Sequence, residues 1–123
     1  MRFHIPIRLP SLANERMHWR TLKKLKVSQR GAVNFVMVGR TIPPMPLVVT
    51  ITRVGPRKLD DDNLASACKY VRDQIAANIG VDDGSDQYTW RYAQRIVRGL
   101  SGLPSRYGVD VEVVTRGEVH AEE

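Results

Sequence analysis

The sequence has a single cysteine, Cys68, among its 123 residues. One thiol excludes an intrachain disulfide framework and any zinc site built from several cysteines. No apolar run approaches the roughly 20 residues that a membrane-spanning helix needs. The first ten residues alternate apolar and polar side chains instead of forming the apolar core of a secretion signal. These absences predict a protein without membrane contact, in a reducing cytoplasm.

Several familiar catalytic signatures are also missing. The chain has no phosphate-binding loop, no dinucleotide-binding glycine pattern and no Ser-His-Asp arrangement. Its three histidines, His4, His18 and His120, are scattered, which argues against a histidine metal site. The acidic residues are therefore the best candidates for chemistry.

The composition predicts one globular domain over residues 1–123, with a frayed tail at 116–123. Hydrophobic residues make up 42% and charged residues 26%, which argues against global disorder. The net charge is +6, and 14 of the 19 cations are Arg. Because the guanidinium fork suits phosphate, this excess favours a polyanionic partner, although a merely basic surface would give the same charge.

Hydrophobic periodicity predicts six elements. Strands are expected at 3–9, 47–54, 87–98 and 109–115, and helices at 20–38 and from the acidic stretch to residue 78 or 79. Pro6 indicates that the first strand lies at a sheet edge, and Gly80 ends the second helix. The order β-α-β-α-β-β predicts an α+β fold with a small mixed sheet and two helices.

The first helix has an apolar and a basic face. At about 100° per residue, one face collects Leu22, Leu25, Ala32, Val33 and Val36. The opposite side collects Arg16, Arg20, Lys23 and Arg30. Such a basic stripe is either a solvated face or a surface for a phosphate backbone.

Three consecutive aspartates precede the second helix. If the chain is still extended there, Asp60 and Asp62 point to the same side, whereas Asp61 points away and caps the helix. Continuing the helix from Asp62 puts Ser66, Lys69 and Asp73 on one polar stripe.

The opposite face of this helix predicts packing on the sheet. It collects Leu64, Cys68, Val71, Ile75 and Ile79. Cys68 is therefore expected to be a buried, unreactive thiol.

The polar stripe has two interpretations. One is an amphipathic helix with acids in its first turn and a Lys69–Asp73 pair. The other is a Mg²⁺ site in which Asp60 and Asp62 supply hard oxygen ligands beside a substrate phosphate. A second acidic segment, VDDGSD at 81–86, is typical of a turn, but it follows the helix closely enough to direct Asp82 or Asp83 toward the sheet.

Together these motifs resemble the RusA family of Holliday junction resolvases. The resemblance is carried by Asp-x-Asp-Asn-Leu at 60–64, the Lys and Asp four residues apart at 69 and 73, and the Asp-Asp pair at 82–83. An upstream loop with Asn14, close to Trp19 and basic residues, is also similar. The specific motif covers residues 60–83, and the element order is similar over most of the chain.

The resemblance implies a RusA-like α+β homodimer, bacterial or phage-encoded, that cuts four-way DNA junctions and sometimes related branched DNA with Mg²⁺. By position, it implies that Asp60, Asp62 and Asp83 bind the metal, with Asp82 as the alternative in the last pair. At the position of the family's essential Lys, this sequence has Ser66. Because Lys69 lies nearly one helical turn further on, we expect it to take that role.

The expected DNA contacts are Arg16, Arg20, Lys23, Arg30, Arg57 and Lys58. The strand at 47–54 and the amino-terminal strand are the expected dimer surfaces, since an unpaired edge invites a partner. Trp90 is expected in the core. Two other functions stay open: a non-catalytic basic DNA-binding module, and a general nuclease for single-stranded or branched DNA.

Overall fold

A computed structural model describes residues 1–11, 18–97 and 107–117. Within these ranges the chain forms β1 (Arg2–Ile5), α1 (Trp19–Met37), β2 (Leu47–Gly55), α2 (Asp61–Ala67), α3 (Lys69–Ile79), β3 (Tyr88–Ile96) and β4 (Gly108–Thr115). The predicted α+β class is confirmed. Arg16, Asn14, His120 and most of the expected tail lie outside the described residues.

The strands form one mixed sheet in the order β1-β4-β2-β3. β4 is antiparallel to both of its neighbours, whereas β2 and β3 are parallel, with Leu47 opposite Tyr88 and Gly55 opposite Ile96. β1 is an edge strand, as Pro6 predicted, but it ends at Ile5, short of the predicted end at residue 9. The expectation that β2 offers an unpaired edge is wrong, because this strand is hydrogen-bonded on both sides.

The helices cover one face of the sheet. Alternate residues of the strands, such as Ile5, Val49 and Val111, are fully or almost fully buried against Val33 of α1 and Val71 of α3. This apolar layer is the core of the domain. The other face carries polar pairs, among them Arg2 with Glu112 and His4 with Asp110.

The two long helices lie side by side and run in the same direction. Arg30 of α1 donates to Gln74 of α3 at 2.8 Å, and one turn later Asn78 donates to Asn34 at 2.9 Å. Because both contacts advance by four residues along each helix, α1 and α3 are parallel. The amino-terminal half of α1 therefore lies at the end of the helix layer where α2 precedes α3.

The second predicted helix is divided in two. Cys68, with φ −85° and ψ −2°, separates α2 from α3. The element order is thus β-α-β-α-α-β-β. The predicted end is confirmed: α3 finishes at Ile79, and Gly80 takes a left-handed conformation with φ 88°.

Cys68 is fully buried, as predicted. Burial raises the pKa of this thiol to about 12, although the nearby Arg53 and Arg72 charges oppose the shift. No helix among the described residues is both long and apolar enough to span a bilayer.

Candidate metal and nucleic-acid site

The backbone before the first acidic segment is fixed to β3. The Leu59 N–H donates to the Gln94 side-chain oxygen at 2.9 Å, and the Gln94 amide donates back to the Leu59 carbonyl at 2.7 Å. This reciprocal pair satisfies both polar groups of Leu59. It sets the position from which Asp60 begins the helix.

A buried arginine holds the start of the connection between β2 and α2. Arg53 donates to the carbonyls of Leu9 at 2.9 Å and Arg57 at 2.7 Å. Burial, reinforced by the charge of Arg8, lowers its pKa, while Cys68 acts in the opposite direction. The second bond fixes the backbone at Arg57. The side chains of Arg57 and Lys58 are both exposed.

The first acidic segment, residues 60–62, presents free carboxylates. All three aspartates are exposed, and within the described part of the chain none makes a side-chain hydrogen bond or ion pair. Asp60, not Asp61, is the residue before the first helical turn, and its carboxylate accepts no capping bond. Since β2 ends at Gly55, the shared direction expected from an extended strand does not apply here.

The polar stripe after this segment is interrupted. Ser66 and Lys69 are exposed and Asp73 is half-buried, but the break at Cys68 falls between Ser66 and Lys69. The rotation counted from an unbroken helix therefore does not extend to Lys69. The Lys69–Asp73 ion pair, which the amphipathic-helix interpretation predicts, is absent from the contacts of the described residues.

The second acidic segment, residues 82–83, is tied into a turn. The Asp82 carboxylate accepts from the Gly84 N–H at 3.1 Å, and its carbonyl accepts from the Ser85 N–H at 3.0 Å, which confirms the predicted turn. The Asp83 carbonyl accepts from the Trp90 indole at 2.9 Å. Trp90 is half-buried and packs against the core, as expected.

Arg72 is the residue that the sequence did not identify. Its Nε lies 3.2 Å from one carboxylate oxygen of Asp83, its Nη1 donates to the Tyr92 hydroxyl at 3.0 Å, and the guanidinium lies 6.0 Å from the Trp90 ring centroid. Burial opposes its charge, but Tyr92 and the carboxylates of Asp83 and Asp73 outweigh this and raise the pKa of Arg72. The sequence did contain a signal for this contact. Arg72 belongs to the second predicted helix, and the following strand has aromatic residues at every second position: Tyr88, Trp90 and Tyr92.

Tyr88 completes this side of the site. Its hydroxyl donates to the Val81 carbonyl at 2.8 Å, and its ring stacks on Trp90 with centroids 4.8 Å apart. Burial raises the pKa of Tyr88, and the carboxylates of Asp83 and Asp82 add to the shift. The turn at 82–83 is thus held by three side chains of β3 and α3.

The two acidic segments come from different connections. The first follows the end of β2 and the second precedes the start of β3. These strands are parallel, so the chain leaves β2 and enters β3 at opposite ends of the strand pair, but the Asp83 carboxylate reaches back to Arg72 in the first turn of α3. Among the described residues, no three side chains of the His, Cys, Asp and Glu types come together as a metal-binding group.

The predicted DNA contacts divide into two sets. Arg20, Lys23, Arg57 and Lys58 are exposed, and Arg20 stacks 5.2 Å from the ring of the exposed Trp19. Arg30 differs, because it points toward α3 and helps line a cavity of about 280 Å³ with Asp73, Asp82 and Asp83. Its predicted position opposite the core face is wrong.

No protein-family model matches the sequence, and comparisons with characterised proteins and with solved structures give no match either.

Proposed function

We propose that this protein is a Mg²⁺-dependent endodeoxyribonuclease that resolves four-way DNA junctions by paired, symmetric cuts, as the resemblance to the RusA family implies. The observation that carries the proposal is the free carboxylates at Asp60 and Asp62. They lie at the same end of the helix layer as the exposed cations of α1. Carboxylates that have no cationic partner in the described part of a chain of charge +6 are available to a metal ion.

The donor chemistry fits magnesium. Mg²⁺ prefers oxygen ligands and takes few of them from the protein, because water and substrate phosphate supply the rest. Asp60 and Asp62 would hold the ion, and Asp83 retains one carboxylate oxygen outside its contact with Arg72. When bound, the ion would lower the pKa of the attacking water and neutralise charge on the phosphate.

The exposed cations would have two roles, charge stabilisation and DNA binding. Exposed Lys69 would stabilise the charge that develops at the leaving oxygen. Arg20, Lys23, Arg57 and Lys58 would bind the DNA backbone through phosphate contacts, which fix position without sequence information. Because free carboxylates repel phosphate, DNA should approach the acidic segment only when a cation is present.

The test is cleavage of labelled DNA. A synthetic four-way junction, a duplex and a single strand of matched length are incubated with Mg²⁺ or with EDTA. We expect paired cuts in the junction, with Mg²⁺ only. Equal cutting of all three substrates would instead indicate the general nuclease, and metal-independent binding without cleavage would indicate a DNA-binding module.

The binding module is the second candidate because of one observation: the single chain does not bring Asp83 together with Asp60 and Asp62. A helix with exposed Arg20 and Lys23 could bind phosphate without any metal. We propose further that the active protein is a cytoplasmic homodimer, since two symmetric cuts require two acidic sites.

A further inference from the structure

A cavity of about 440 Å³ lies where β2 ends. This volume is within the range of pockets for small molecules, about 300–1,000 Å³. The residues that line it include three arginines and several apolar side chains: Arg8, Arg53, Arg57, Leu9, Pro56 and Tyr107. Within the described part of the chain, no acidic residue lines this space. The charge of the Arg53 cavity, as we name it, therefore suits an anion.

Arg53 is the least exposed of the three cations. It is 8% exposed, and its Nε and Nη1 donate to the carbonyls of Leu9 and Arg57. Among the described residues, its Nη2 has no hydrogen-bond acceptor and no carboxylate pairs with the guanidinium. Burial lowers the pKa of Arg53 and the charge of Arg8 adds to this, although Cys68 opposes the shift. A buried cation is stabilised by a counter-charge, which an anion in the cavity would supply.

The backbone around the guanidinium fixes its orientation. Besides the two carbonyls that accept from Arg53, the Arg8 carbonyl accepts from the Gln29 amide at 3.3 Å, which ties this loop to α1. A Cβ added to Gly55 would lie 3.1 Å from Nη1 and 3.4 Å from Nη2, so a side chain there would press on the guanidinium. Because the donor is already held in place, a ligand would bind without the cost of ordering it.

The depth of Arg53 indicates which anion fits. Arg8 and Arg57 are exposed, whereas Arg53 is buried, so the cations lie at two depths. A phosphate within a strand has the chain on both sides, which keeps it at the exposed cations. A phosphate monoester ends its chain and can enter further, and it carries a charge of about −1.5 to −2 at pH 7. The Tyr107 ring offers an apolar surface for the attached sugar or base.

We propose that the Arg53 cavity binds a phosphate monoester, either on a free nucleotide or at the end of a nucleic-acid strand. Nη2 of Arg53 and the guanidinium of Arg57 would donate to the phosphate oxygens, and Arg8 would add positive charge. This binding requires neither a metal ion nor cleavage, so it does not rest on the proposed function.

Equilibrium binding in EDTA tests the proposal without any cleavage. Three single strands of one sequence are compared: one with a 5′-phosphate, one with a 3′-phosphate and one with hydroxyls at both ends. We expect a terminal phosphate at one of the two ends to tighten binding about tenfold or more, because it adds charge-assisted hydrogen bonds. Such a preference assigns the cavity to a strand end.

Thymidine 5′-monophosphate and thymidine, titrated separately by calorimetry, identify the other source. Binding of the monophosphate but not of thymidine, with equal affinities for the three strands, assigns the cavity to a free nucleotide. Equal affinities for the strands, together with no difference between the monophosphate and thymidine, would overturn the proposal.

Two charge-matched variants test the residues. Arg57→Gln changes an exposed side chain and should reduce the preference for phosphate over hydroxyl to less than about threefold. Arg91→Gln removes the same charge from an exposed residue outside the cavity and should keep the preference. The ratio of the two affinities is the readout, because loss of a general DNA contact would weaken both equally. An unchanged ratio in Arg57→Gln would overturn the assignment.

Arg53→Gln should abolish the preference. It also removes two contacts to the backbone, so its circular dichroism is measured first, and Arg57→Gln decides the question if this variant does not fold. A protein that prefers phosphate over hydroxyl but cuts no junction would refute the proposed function alone.

Discussion

The two acidic segments have similar sequences and different surroundings. The carboxylates of Asp60 and Asp62 are exposed and have no partner within the described residues, whereas Asp83 contacts Arg72 and is held through its backbone by Trp90. Among the described residues, the first segment is positioned through the backbone that precedes it, by the Leu59–Gln94 pair. The comparison teaches that identical side chains differ in availability to a cation according to the contacts around them.

The largest effect is expected from Asp62→Asn. Removing the charge of a metal ligand should lower Mg²⁺-dependent junction cleavage about 1,000-fold or more. The fold should be unchanged and junction binding kept or strengthened, because repulsion toward phosphate falls. Cleavage of a labelled junction measures the rate, and a gel-shift assay measures junction binding. Cleavage near the wild-type rate would remove the first segment from the metal site.

Mixing two inactive variants should restore activity. If each site combines Asp62 of one copy with Asp83 of the other, a heterodimer of Asp62→Asn and Asp83→Asn keeps one intact site. We expect junction nicking at roughly a quarter of the wild-type rate after the variants are mixed and re-equilibrated, because about half of the dimers are mixed and each has one of two sites. Failure of the mixture, with both single variants inactive, would show that the site lies within one chain.

Variants of Lys69 and Ser66 are compared to identify which position matters for catalysis. Lys69→Ala should lower the cleavage rate about 100-fold, by loss of charge stabilisation at the leaving oxygen. Ser66→Ala should change it less than about twofold, because an exposed hydroxyl supplies no charge. Single-turnover rates on the junction compare them. A severe loss with Ser66→Ala and a mild loss with Lys69→Ala would reverse the assignment.

Cys68, between the two acidic segments, should make stability sensitive to alkali. Its pKa is raised from 9.0 to about 12, so the folded state keeps a proton that the unfolded state releases. The stabilisation is complete below pH 9 and is lost as the pH rises toward 12. Between pH 9 and 10 the wild type should lose about 1 kcal/mol more than Cys68→Ala, as measured by urea unfolding. Equal losses of stability in the wild type and in Cys68→Ala would contradict the buried-thiol assignment.

Much of the fold could be predicted because periodicity reports which faces are buried. The alternation in β1 and β4 and the apolar face of α1 were sufficient for the α+β class. Strand order was not, because β4 enters between β1 and β2 through pairing between distant residues, which no local pattern encodes. The break at Cys68 was also missed, since Leu64, Cys68 and Val71 fit an unbroken helix equally well.

The sequence predicted the residue types of the candidate site better than it predicted their arrangement. Clustered aspartates identified both acidic segments, but angles counted along a helix could not reveal that they form no common metal-binding group among the described residues. Arg72 was missed because its partners, Asp83 and Tyr92, come from two other parts of the chain. Arg30 was misplaced because α3 packs beside α1, on a side that the pattern marked as polar.

The interruption at Cys68 also divides the helix into units of unequal resistance to opening. α2 has seven residues, fewer than an isolated helix needs to persist in water, whereas α3 has eleven and packs along α1. In native-state hydrogen exchange, the amide protons of α2 should therefore exchange before those of α3, through local unfolding that leaves the rest of the domain intact. Because Asp61 and Asp62 belong to α2, a bound cation should slow that exchange and leave the rates of α3 unchanged.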